Sequence, residues 1–188
     1  MDNLEAYVAT GEGLAYGFEM SIEKPAGRFN GRISYNYGKS DYKIDVINQG
    51  RWYPYRFDKT HSLTMFSNFQ ITKYLSISST FLYSTGRPVT LPEGYYHISG
   101  IPFPYWEGRN KYRLPDYHRL DLGIKYSPYF LMRWTRDLKT TIDVALYNVY
   151  DRRNIHTINF NQGQKRLFEQ IGQSTYGFMP SININVEF

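Results

Sequence analysis

The chain has no cysteine. That excludes a disulfide scaffold, a thiolate zinc site and a cysteine nucleophile. No apolar run approaches the ~20 residues a membrane-crossing helix needs, and the mean hydropathy is −0.54. Crossing by helix is therefore excluded. The opening residues, MDNLEAYVATGEG, lack a basic stretch followed by an apolar one, so no secretory leader is read in them. Metal spacing is also missing: His61, His97, His118 and His156 lie far apart, with no pair at i and i+4. Asp58 and His61 are three apart, but nothing nearby supplies a nucleophile, so they read as loop anchors. The glycines of GEG (11–13) and TGRP (85–88) have no phosphate-loop context and read as turn or bulge positions. No enzyme, cofactor or metal is expected from these patterns.

The chain has 188 residues, room for one domain or part of a larger one. Aromatic residues make up 18%, including 19 Tyr and 12 Phe, while charged residues make up 21%. A chain polar overall yet rich in tyrosine suits a sheet with one face in lipid and the other in water. The formal net charge is +5. The basic residues fall into separate clusters: Arg109, Lys111 and Arg113; Arg133, Arg136 and Lys139; Arg152 and Arg153. No stripe gathers them and no nucleic-acid motif accompanies them, so nucleic acid is not an expected partner.

The dominant pattern is period-two alternation, in seven segments. Tyr16, Phe18, Met20 and Ile22 share one face, as do Phe29, Ile33, Tyr35 and Tyr37. Leu63, Met65, Phe69 and Ile71 follow, with Phe66 as an exception, then Leu75, Ile77, Phe81 and Tyr83. The last three sets are Leu120, Leu122, Ile124 and Tyr126; Ile142, Val144 and Leu146; and Ile182, Ile184, Val186 and Phe188. Short gaps near Pro25–Arg28 and Thr72–Tyr74 alternate with long ones at Lys39–Thr60, Ser84–Asp116 and Asn161–Ser174. In a meander, alternate connections lie at opposite ends, so short turns gather at one end and long loops at the other. The gap Ser127–Lys139 is the exception, being too long for a short turn. A soluble β-sandwich also alternates. Its strands are usually about five or six residues, whereas these read as the roughly ten needed to cross a bilayer at a tilt. Arg32, Asn36, Asn68, Gln70, Arg119, Asp121, Lys125 and Asp143 also make the second face too wet for a dry core. The expected fold is all-β: an antiparallel up-and-down transmembrane β-barrel. Seven strands do not close well, and the abrupt start points the same way. The chain is expected to be part of a larger barrel, and an open sheet if isolated.

The stretches NLEAYVATGEGLAYGFE (3–19), INQGRWYPYRFDKTH (47–61), YSTGRPVTLPEG (83–94), RNKYRLPDYHRLDLGI (109–124), YNVYDRRN (147–154) and STYGFMPSININVEF (174–188) carry a resemblance. In that order they resemble the carboxy-terminal barrel region of TonB-dependent outer-membrane receptors of the Bacteroidetes type. The resemblance covers essentially residues 1–188. It implies a barrel of about 22 strands, with a plug domain and a TonB-engaging segment that would lie outside this sequence. The implied function is a wall segment of a receptor for TonB-dependent uptake of a nutrient such as a siderophore-iron complex or a glycan. The implied location is the Gram-negative outer membrane. The implied partners are outer-membrane lipid and lipopolysaccharide, the receptor's own plug, the TonB complex, the barrel assembly machinery and a surface lipoprotein. The alternative is a soluble or cell-surface β-rich glycan-binding module that uses aromatic loops.

Candidate functional residues follow from these patterns. Trp52, Tyr53 and Tyr55 in the first long gap, and Tyr95, Tyr96, Phe103, Tyr105 and Trp106 in the longest, are candidate platforms for a ligand or a partner lipoprotein. The competing reading is that these rings pack the loops on one another. Arg119, Asp121 and Lys125 share the wet face and are candidate plug contacts, or simply a solvated wall. Arg109, Lys111 and Arg113 are candidates for lipopolysaccharide phosphates. Tyr16, Tyr37, Tyr83 and Tyr126 fit an interfacial girdle. Phe188 ends the last alternating segment; by the resemblance it would serve as an assembly signal, and it would otherwise complete the girdle.

Overall fold

The computed structural model describes residues 9–128, 139–161 and 169–187. The strands, in chain order, are β1 (Gly11–Lys24), β2 (Phe29–Ile44), β3 (Tyr53–Pro54), β4 (His61–Thr72), β5 (Leu75–Ser84), β6 (Pro88–Val89) and β7 (Gly94–Ile98). They continue with β8 (Ile101–Tyr105), β9 (Tyr112–Arg113), β10 (Tyr117–Tyr126), β11 (Lys139–Tyr147), β12 (Ile155–Asn161), β13 (Glu169–Ser174) and β14 (Met179–Glu187). Among the described residues no helix is long and apolar enough to cross a membrane, which says nothing of crossing by strands.

The main sheet runs β1-β2-β4-β5-β10-β11-β14, with β3 added on β2. Every pairing along it is antiparallel. The seven alternating segments are thus seven neighbouring strands in sequence order. Their register explains the alternation. Met20, Tyr35, Leu63, Tyr83 and His118 form one row across the ladder. Ile22, Ile33, Met65, Phe81 and Leu120 form the next. Further along, Phe69, Ile77, Ile124, Val144 and Ile182 line up. A one-residue slip in any strand would move its whole apolar set to the other face. Ser67 and Ser79 are polar residues within the apolar face, and they satisfy each other through a 2.8 Å hydroxyl–hydroxyl bond.

Among the described residues none forms a layer over this apolar face. Phe18 is 56% exposed, Ile22 64% and Ile182 71%. The opposite face is polar and internally bonded. Arg32 Nε donates to the hydroxyls of Ser21 and Ser34, at 2.9 and 3.1 Å. Asn185 Nδ2 donates to Asp143 Oδ2. Phe66 registers opposite Arg32 and Thr80 on this polar face, which accounts for its break in the alternation.

The wall strands are longer than the alternation implies, at 14 residues in β1 and 16 in β2. The added length corrects the expectation for GEG. Gly11 and Gly13 lie inside β1, opposite Ile44 and Tyr42. A side chain at Gly11 would meet the carbonyl oxygen of Lys43 at 2.5 Å, so the glycine serves close strand approach rather than a turn.

The connections at 25–28 and 73–74 are short, and those at 45–60, 85–116 and 148–178 are long. All three long ones leave the same end of the sheet. The expectation about the Ser127–Lys139 gap falls mostly on 129–138, outside the described residues, as do Arg133 and Arg136. Phe188 also lies outside them.

Candidate ligand-binding mouth

The long-loop end is where the chain buries itself. Among the described residues, every buried one except Pro128 lies at this end: Tyr53, Asp58, Ser84, Gly86, Pro88, Asn110, Leu114, Asn148 and Asn154. Most are polar or small, so hydrogen bonds rather than an apolar core hold the loops.

The 45–60 and 85–116 loops are joined by three polar side chains, two of them buried. The side-chain amide of Asn48 donates to the carbonyl of Arg109 at 2.9 Å and accepts from its N–H at 2.6 Å, like a strand neighbour. Asn48 has φ 52°, in the left-handed region that asparagine tolerates. Asn110 donates through Nδ2 to the carbonyl of Pro54, and its N–H donates to Thr90 Oγ1. Asp58, with its side chain 1% exposed, accepts from the Ser40 N–H, from Thr60 Oγ1 and from the Arg113 guanidinium. At the 85–116 loop's return, Gly86 lies so close to Leu114 that a side chain there would meet its carbonyl oxygen at 1.6 Å.

The 148–178 connection is fastened to β10. Asn148 is fully buried; its Nδ2 donates to the carbonyls of Arg152 and Tyr176, and its Oδ1 accepts from the Arg152 N–H. Asn154 brackets His118, accepting from its N–H and donating to its carbonyl. Asp116 accepts from the Gly86 N–H and the Tyr83 hydroxyl. The Gly86 N–H, then the Tyr83 hydroxyl, and further the charges of Arg113 and Arg152, hold its carboxyl below the ordinary carboxylate value.

Between these loops lies a cavity of about 520 Å³. Tyr42 and Ile44 from β2, Tyr53 from β3, Val89 from β6 and Ile158 from β12 contribute to its lining. It therefore draws on all three long connections.

The expected platform residues divide. Tyr53 is 5% exposed and paired through β3 with β2, so it is a wall of the cavity rather than an open platform. Tyr55 packs on Tyr42 at 4.9 Å between ring centres and on Phe57 edge-on at 5.5 Å. Trp52 is exposed. Tyr95, Tyr96 and Tyr105 are exposed on the β7–β8 hairpin, and Trp106 follows it, also exposed. Tyr96 stacks on Phe103 at 5.7 Å. The hairpin turns at Ser99 and Gly100, both with positive φ, the backbone a tight two-residue turn requires.

Arg119 and Asp121 form an ion pair of 2.8 Å on the polar face. Arg119 also donates to the hydroxyls of Tyr147 and Tyr117 and lies 4.1 Å over the Tyr147 ring. Asp121 Oδ1 accepts from the Asn148 N–H. The pair is thus built into the wall and its loop. Lys125 sits across from Asp143 in register. The Arg109, Lys111 and Arg113 cluster splits three ways: Lys111 pairs with Glu93 and Glu107, Arg113 pairs with Asp58, and Arg109 lines the cavity.

The outward rim carries rings with hydrogen-bonded hydroxyls. Tyr35 and His61 share a 2.7 Å bond, and His118 and Tyr150 one of 2.9 Å. Of the expected girdle, Tyr16 and Tyr37 meet here at 6.5 Å, and Tyr37 also packs on Phe18 and His61. Tyr126 lies toward the opposite end of β10. Sequence reasoning missed Asn48, Asn110, Asn148 and Asn154, whose only signal is asparagine outside the alternating segments.

No protein-family model matches the chain, and no curated protein sequence matches it. Two solved structures are similar in fold. One is the siderophore receptor PiuA from Acinetobacter baumannii, at 14% identity and a TM-score of 0.56, covering 95% of this chain and 22% of that one. Another is the outer membrane transporter YddB from Escherichia coli, at 16% identity and a TM-score of 0.54, covering 94% of this chain and 25% of that one. The chain spans a quarter or less of the length of these structures. Its fold is that of a segment of an outer-membrane β-barrel wall.

Proposed function

We propose that the chain forms part of the barrel wall of an outer-membrane receptor that takes up a nutrient by TonB-dependent transport. The observation that carries this reading is the seven-strand meander with one continuous apolar face and the three long connections 45–60, 85–116 and 148–178 together at one end. A soluble module would leave Leu14, Phe18, Met20 and Ile22 against water on a single strand. A bilayer covers that face without another protein layer. The fold likeness to a siderophore receptor and an outer membrane transporter supports the same reading. The Bacteroidetes type rests on the sequence stretches quoted above.

In this reading the polar face looks into the lumen. Arg119, Asp121 and Lys125 stand where a plug domain would pass, and TonB would engage a segment outside these residues. The exposed rings of the β7–β8 hairpin face the outside, open to a glycan or a surface lipoprotein. Lipopolysaccharide would meet the outer rim. The barrel assembly machinery would handle the last strand, with Phe188 as its signal. The wall itself performs no catalysis; its work is to hold the ligand mouth open above a sealed lumen.

Membrane fractionation of cells expressing the complete protein tests the reading. Recovery in the outer membrane, with a gel mobility that changes on boiling, is the expected result. TonB-dependent growth on a limiting nutrient that is lost on deleting the gene completes it. A monodisperse protein recovered in aqueous buffer without detergent would overturn it.

A further inference from the structure

Acidic and basic side chains are not balanced at the loop end. Asp58 is used by Arg113, and Glu93 and Glu107 are both used by Lys111. Asp116 is occupied by the Gly86 N–H and the Tyr83 hydroxyl. Of the basic residues of the long connections that these carboxylates do not pair, Arg56, Arg87 and Arg109 line the 520 Å³ cavity. Among the described residues no carboxylate lines it and none of the three is in an ion pair. Arg87 donates to the carbonyl of His156 and Arg56 lies 4.6 Å over the Phe57 ring. Neither contact neutralises the charge. The remaining lining is mainly rings and aliphatic groups, such as Tyr53, Leu114 and Ile158.

We propose that this cavity binds an organic anion that joins a flat ring to more than one carboxylate. The proposal rests on the receptor reading above and narrows its nutrient class. Three arginines among the lining of one cavity, with no carboxylate beside them in that lining, leave it with an excess of positive charge that a bound anion offsets. Guanidinium is suited to the task, because its planar fork grips a carboxylate through two parallel bonds and also stacks on a ring. The volume lies within the range of pockets that enclose a small organic ligand. Tyrosine and aliphatic walls cover the flat body, while the arginines fix its orientation. A neutral sugar would leave the three charges uncompensated.

The test uses the complete protein in detergent and isothermal titration with benzene-1,3,5-tricarboxylate, alongside its neutral triamide as the control. The tricarboxylate is expected to bind, with an affinity that falls as sodium chloride rises. The triamide is expected to bind at least tenfold more weakly. Arg56 and Arg109 are exposed, so Arg56→Gln and Arg109→Gln leave the fold intact. Each is expected to weaken the tricarboxylate about tenfold, the scale of one charge-assisted contact. Lys111→Gln, outside the cavity lining, is expected to change nothing. Equal binding of tricarboxylate and triamide would overturn the proposal, and so would an equal loss in Lys111→Gln. No binding at millimolar ligand by a protein whose gel mobility still changes on boiling would overturn the anion while leaving the barrel standing. A protein that never shows that mobility change would overturn the barrel reading and this proposal with it.

Discussion

Leu122 and Asn148 sit on either side of one boundary. Leu122, in the middle of β10, pairs in register with Ser79 and Leu146 and has no protein layer over its face. Asn148, one residue past β11, is fully buried and bonded on every side. The substantial contacts between elements are those of ladder neighbours, so the wall is one layer thick. Its side-chain environment is completed from outside. The loop end completes itself. A wall of this kind is specified by what surrounds it, a loop end by what it touches.

The sharpest way to separate the two regions is to remove Asn148. Asn148→Gly keeps the left-handed backbone, φ 53°, without steric cost. It strips partners from the carbonyls of Arg152 and Tyr176 and from the Arg152 N–H. Leaving such buried groups unpaired is expected to cost roughly 3–5 kcal/mol in all. Urea unfolding of the detergent-folded complete protein reads it. A loss under about 1 kcal/mol would show that the loop end does not depend on this buried amide.

Next comes the wall. Leu122→Arg is expected to cost roughly 2–4 kcal/mol if its face meets the bilayer midplane. Thr80→Arg, on the polar face beside Asp121 in register, is expected to cost under about 1 kcal/mol. Equal losses in detergent-folded protein would erase the distinction between the faces.

Acid acts on the loop end through Asp116. Asp116 has its carboxyl held below the ordinary value of 3.8, the Gly86 N–H acting first and the Tyr83 hydroxyl next. A depressed carboxyl stabilises the fold above the unfolded value and loses that contribution as pH falls through the folded one. Asp116→Asn is expected to lower stability at neutral pH and to flatten the acid limb below 3.8, so that the two proteins converge in acid. An unchanged acid limb in melting curves would show that Asp116 does not set it. The smallest effect is expected at Lys111, which holds Glu93 and Glu107 on exposed surface. Glu107→Gln should leave the unfolding midpoint within error and insensitive to salt.

The wall was legible because its partner is generic. Lipid asks only for apolar residues at every second position, and that demand is written in each strand separately. Met20, Leu63 and Phe81 could therefore be placed on one face before any pairing was known. The loop end was not legible, because asparagine there has two meanings. Outside a strand asparagine ordinarily marks a turn, and nothing local tells which carbonyl the buried amide of Asn148 or Asn154 will reach. The β7–β8 hairpin was hidden for a related reason: Pro102 and Pro104 alternate with Ile101, Phe103 and Tyr105, and proline argues against a paired strand. Tyr53 was read by residue type as a platform, when its position in β3 makes it a wall.

The 16 residues of β2 have a mechanical consequence. At ~3.3 Å per residue such a strand reaches about 53 Å, whereas a tilted crossing of the ~25 Å apolar band uses about 35 Å of strand. The surplus shows in its chemistry. Past Tyr37 the outward side turns from rings to Lys39, Asp41 and Lys43, paired among themselves and with Glu12. There the ladder leaves the oil and continues as a stiff collar. A loop would fold back onto the bilayer, but a two-strand ribbon tied by backbone bonds cannot. The collar works as a standoff: it fixes the height of the loop end above the apolar band, independent of how the loops above it move.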